Sequence, residues 1–153
     1  MKKKILLFIL IIVVLTGCSN KEVTKEKEVY NSYISILDNI NESSEKYPFN
    51  IEVRFDKLTE KIVRYQIIID NVKENIYNIE AVAVHNIKTD DIFPSIGIFD
   101  EKENLEVGKK PSGIILVGYI DTEKEINDLN CKIKVLVKYE QDNNKKEVYY
   151  VTK

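Results

Sequence analysis

Apolar residues recur along this chain in three different ways, and the switches between them mark its parts. Residues 5–15 form an unbroken apolar run behind Lys2, Lys3 and Lys4. From residue 19 to 27 only Val23 is apolar, which predicts a solvated tether over 18–27. Tyr30, Tyr33, Leu37 and Ile40 then recur at i, i+3, i+7 and i+10, opposite Asn31, Ser35, Asp38 and Glu42. This is the stripe of an amphipathic helix, predicted over 28–46 and ended by Tyr47-Pro48. After Pro48 the period falls to two. Ile51, Val53 and Phe55 alternate with Glu52, Arg54 and Asp56, and Val63, Tyr65, Ile67 and Ile69 form a second alternating set. Residues 79–85 and 114–120 are apolar almost throughout, as expected of strands covered on both faces. Pro94 and Gly97 reduce 92–99 to an interrupted edge strand. Cys131, Ile133, Val135, Val137 and Tyr139 alternate with Lys132, Lys134, Leu136, Lys138 and Glu140, and Asp142-Asn143-Asn144 is a hairpin turn signal before a last strand over 147–152.

About seven short strands with no helix between them predict a mainly β fold, an antiparallel sandwich over 50–153 behind one short helix. The strand order and the final hairpin resemble Ig-like sandwich modules of secreted Gram-positive proteins, with the FxLYD-type domain the nearest. Val82-Ala83-Val84-His85-Asn86 stands where that family carries its Leu-Tyr-Asp signature, and there is no Trp and no second domain cysteine for a true immunoglobulin pattern. The competing fold is α+β, cystatin-like or NTF2-like, with the helix packed inside a curled sheet.

The start of the chain says where the protein works. A basic segment, an apolar run and small residues before a cleavage point make a secretory signal, and residues 5–15 are too few to span a bilayer, which needs about 20. Leu15-Thr16-Gly17-Cys18 resembles the lipobox of bacterial lipoproteins. The resemblance implies removal of 1–17, acylation of Cys18 with fatty acids such as palmitate, and attachment to the extracytoplasmic face of the cell membrane. Two acyl chains anchor stably where one is marginal. The bias toward Ile, Lys and Asn, together with the lipobox, points to a Gram-positive source.

Composition narrows the function classes. The formal net charge of −2 becomes more negative once Lys2, Lys3 and Lys4 leave with the signal, so nucleic acid is not an expected partner. Cys131 has no intramolecular partner if lipid claims Cys18, and its place beside Ile133 predicts a buried, inert thiol. His85 is the lone histidine, which leaves no His pair for a metal or a relay and predicts a strand-end residue with a partly packed ring. Asp90-Asp91 and Asp100-Glu101-Lys102-Glu103 lack a calcium-loop spacing and read as solvated loops. Lys132, Lys134 and Lys138 form a basic row read as a solvated sheet face paired with neighbouring glutamates. With no nucleophile elbow, phosphate loop or ligand spacing, neither an enzyme nor a cofactor is expected. The expectation is a membrane-anchored binding module whose partner is an envelope protein or cell-wall polymer. The alternative is an immunity-type or ligand-sequestering lipoprotein with a pocket between helix and sheet.

Overall fold

The computed structural model describes residues 19–152. A helix α1 (Ser19–Asn39) precedes eight strands: β1 (Asn50–Thr59), β2 (Ile62–Asp70), β3 (Ile76–His85), β4 (Ser95–Ile96), β5 (Glu103–Leu105), β6 (Gly113–Asp121), β7 (Ile133–Gln141) and β8 (Asn144–Val151). They form two antiparallel sheets. One runs β1-β2-β6; the other runs β4-β3-β7-β8, with β5 also on β3. The expected mainly β, two-sheet architecture is thus the one found, with β5 an addition the sequence did not signal.

Period-two alternation builds the core between the sheets. Val63, Tyr65, Ile67 and Ile69 of β2 and Ile114, Leu116 and Ile120 of β6 pack toward Ile79, Ala81 and Ala83 of β3 and Ile133, Val135 and Val137 of β7. Gly118 faces the same core without a side chain. A Cβ there would lie 2.2 Å from the ring of Tyr65, its cross-strand partner, which fills the space instead. Asp142 and Asn143 both adopt positive φ, closing the β7–β8 hairpin as the turn signal requires.

The helix forms a third layer. Tyr30, Tyr33 and Leu37 pack on Val82 and Val84 of β3 and Leu136 of β7, the outer face of the larger sheet. This is why residues 79–85 lack alternation: β3 is buried on both faces. The helix starts earlier and ends earlier than its predicted 28–46 span, and residues 19–27 are helical where a tether was expected. Lys25, Glu26, Lys27 and Glu28 are good helix formers and extend the helix without needing a buried face. Pro48 does not end it. Asn39, Asn41, Ser43 and Ser44 are poor helix formers, and Lys134 donates from β7 to the terminal carbonyls of Leu37 (2.9 Å) and Asp38 (3.2 Å). The sheet thereby supplies the cation that the helix lacks in its own last turn. The domain also begins before residue 50, since Phe49 is fully buried in the main core.

Candidate functional site

Sheet edges carry unpaired backbone groups, and proteins that do not use them protect them. Three of the edges here are protected. β8 is covered by the segment after α1: Ser44 donates its N–H to the Tyr149 carbonyl (2.8 Å), and the hydroxyls of Ser44 and Ser43 accept from the N–H groups of Tyr149 and Val151, 2.9 Å each. β1 carries the Glu52–Arg54 ion pair (2.6 Å) and a register shift between Lys57 and Thr59. Lys57 also reaches the carbonyls of Glu123 and Lys124 and the Glu125 carboxylate. Beyond β3 lie only the short β4 and β5, separated by Gly97. Gly97 has φ +71 and sits so near the Ile79 carbonyl that a Cβ would come within 2.1 Å of it.

β6 is different. It pairs with β2 alone among the described strands, in an unbroken ladder from Gly113↔Asp70 to Asp121↔Ile62. It holds no lysine, no proline and no bulge, and its one charge is the terminal Asp121. Alternation puts Ile114, Leu116 and Ile120 into the core and leaves Ile115, Val117 and Tyr119 outward at 53%, 37% and 51% exposure. Ile68, across from Ile115 on β2, continues this apolar row; beyond it lie Gln66 and the Arg64–Asp56 pair (2.9 Å). Only its last residues are flanked, where His85 reaches the Tyr119 backbone and residues 87–91 line a cavity with Ile120 and Asp121. A long, regular, apolar edge left otherwise unpaired is a template for another strand.

The residues singled out in the sequence do not form one site, although His85, Asp90 and Asp91 line a common cavity. His85 ends β3 and is buried, its ring edge-on to Tyr65 (5.4 Å) and Phe93 (5.1 Å), with Nδ1 lacking a hydrogen-bond partner. Burial holds its pKa below the ordinary value, with the backbone of Ile87 opposing. It shares an open cavity of about 270 Å³ with Asp90, Asp91 and Asp121. Among the described residues no group of three or more His, Cys, Asp or Glu could hold a metal ion. Cys131 corrects its expectation: it precedes β7 rather than lying in it and is half-buried at the core margin, where burial pushes its thiol up to about 11. Asp100 accepts from the Gly97 N–H at 2.6 Å, so it shapes a turn. Lys102 pairs with Glu80, which also accepts the Tyr33 hydroxyl proton.

The lysine row is corrected as well. Lys134 caps α1, and Lys138 stands 4.4 Å over the Tyr33 ring and 3.4 Å from Glu147 of β8. The expected cross-strand glutamate is present, but the face is a docking surface for the helix rather than open sheet. The Tyr149 hydroxyl donates to Glu147 (2.7 Å), holding that carboxyl below its ordinary range while Tyr149 rises to about 12. At the far end of the larger sheet, Asn75, Tyr77, Asn78, Asn104 and Glu140 line an open cleft of about 580 Å³. Several of its polar groups are already committed: Asn104 Oδ1 accepts from the Asn78 N–H, Asn75 Oδ1 from the Val107 N–H, and Asn78 Nδ2 donates to Glu140.

Cys18 and the signal over 1–17 lie outside the described residues. Among the described residues no helix is long and apolar enough to cross a membrane. Residues 1–19 match the family described as the prokaryotic membrane lipoprotein lipid attachment site, which supports a membrane-anchored lipoprotein. No curated protein and no solved structure matches the chain.

Proposed function

We propose that this lipoprotein is a binding module on the extracytoplasmic face of the cell membrane, and that it engages an envelope protein by strand addition at β6. The observation that carries the reading is the unprotected β6 edge, with Ile115, Val117 and Tyr119 exposed beside it. Ladder hydrogen bonds would supply affinity, and the outward side chains, specificity. The strand order supports an Ig-like assignment. Lettered in that manner, β1-β2-β6 is A-B-E and β3-β7-β8 is C-F-G. In that lettering no described strand takes the D position that normally lies beside E, which leaves β6 open. A sequestering role would need a cavity between helix and sheet. Leu37, Val82 and Leu136 fill the centre of that contact with no exposure, and an open cavity of about 330 Å³ lies only at its margin, lined by Tyr33, Glu80, Lys138 and Glu147.

A photo-activatable amino acid at position 117 of the full-length protein tests this in intact cells. Irradiation is expected to join it to another envelope polypeptide, while the same probe at position 54 on the charged β1 edge gives no adduct. Absence of any adduct from position 117 would overturn the reading.

A further inference from the structure

We infer that the strand taken up at β6 is the β6 of a second copy of this chain, paired antiparallel about a two-fold axis through Val117. This rests on the reading of β6 as the contact edge and names its occupant.

The strand is complementary to itself. Two identical strands pair antiparallel about a two-fold axis, and only the register centred on Val117 aligns the whole of β6 with its copy. In that register Ile115 faces Tyr119 of the second copy, and Val117 faces Val117. Apolar side chains thus meet apolar ones along the exposed face. Asp121, the strand's only charge, meets Gly113, so no like charges oppose each other within the joint. A strand suited to this edge must be apolar, uncharged at its centre and about as long as β6. β6 itself meets that description.

The pairing also closes. The two copies would build one sheet in the order β1-β2-β6-β6-β2-β1, using both open edges on each other. What remains outermost is β1, with its charged residues and register shift, so growth stops at two copies.

The lipid anchors fit the same symmetry. A two-fold axis relating antiparallel strands of one sheet stands perpendicular to that sheet. Both copies then present α1, which covers the outer face of the larger sheet, on the same side of the pair. Ser19, the first described residue, follows Cys18 directly. By symmetry the two copies of Ser19 lie at equal height along the axis, as two anchors in one membrane require.

Cysteine cross-linking of the full-length, lipidated protein in its membrane tests the register, with the wild type as the baseline for Cys131. Val117→Cys is expected to give a disulfide-linked dimer under mild oxidation, because directly opposed residues lie within disulfide reach. Ile115→Cys alone is expected to stay near baseline. Its two copies would sit roughly 14 Å apart, four residues along the joint, beyond what a disulfide bridges. Co-expressing Ile115→Cys with Tyr119→Cys is expected to restore the dimer. Val117→Lys, a change at an outward position, is expected to leave the fold intact by circular dichroism and yield a monomer in detergent. No dimer from Val117→Cys, or equal cross-linking by Ile115→Cys alone, overturns the proposal. In either case, a position-117 photo-adduct with a different polypeptide leaves the β6 reading standing, and no photo-adduct at all removes both.

Discussion

His85 lies edge-on to two aromatic rings, with one nitrogen unsatisfied, a poor place for a positive charge. Burial, the largest influence, lowers its pKa below the ordinary 6.5. Between the lowered folded value and 6.5 the unfolded chain therefore binds more protons than the folded one, and stability rises with pH. This contribution is complete above the unfolded value and is lost as pH falls below it. The thermal midpoint is expected to drop as pH falls from about 7 toward 5.5. His85→Phe, which keeps the ring between Tyr65 and Phe93, is expected to flatten that slope; an unchanged slope would assign it to other groups. Glu147, itself lowered, acts in a separate and more acidic window, below its ordinary 4.5. At this scale the sequence was legible where chemistry is local: the Asp142-Asn143 turn follows from residue type. Cys131 was not, because the alternation extends back before the start of β7 to a position that does not lie in the strand.

At the scale of elements, the Tyr30–Tyr33–Leu37 stripe was readable, but not what it covers. A helical period defines a face and says nothing of its partner, so a helix inside the sheet and one outside it read alike. The clue lay in β3: a run apolar on both faces needs cover on both sides, and the amphipathic helix was the candidate for the second. Leu37 sits at the centre of that contact, with no exposed surface. Leu37→Ala is expected to cost about 2–5 kcal/mol in urea unfolding of the full chain. Val23→Ala, on the same helix but 61% exposed, is expected to stay within about 0.5 kcal/mol of the wild type. Equal effects would mean that α1 is not docked in solution.

For the whole molecule, the leader was the most legible part because its signal is linear, and the strands came next because alternation is. The open edge was not legible. Residues 114–120 read as doubly covered, but among the described residues no element covers the face that carries Ile115, Val117 and Tyr119 and no strand pairs beyond β6, and no period reports either. Cys18→Ala is expected to leave an uncleaved precursor or to shift the protein from the membrane fraction to the medium, with loss of labelled palmitate. Wild-type processing, retention and label in that variant would refute lipid attachment at Cys18. Chain order adds a mechanical consequence to the Ser43–Ser44 cover on β8. The helix and these hydrogen bonds stand in series between the lipid and β1, so a pull between membrane and sandwich loads them first. Drawn out, the 21 residues of α1 lengthen from about 32 Å as a helix to about 70 Å as extended chain. Under tension the anchor lets out line before the sandwich gives way.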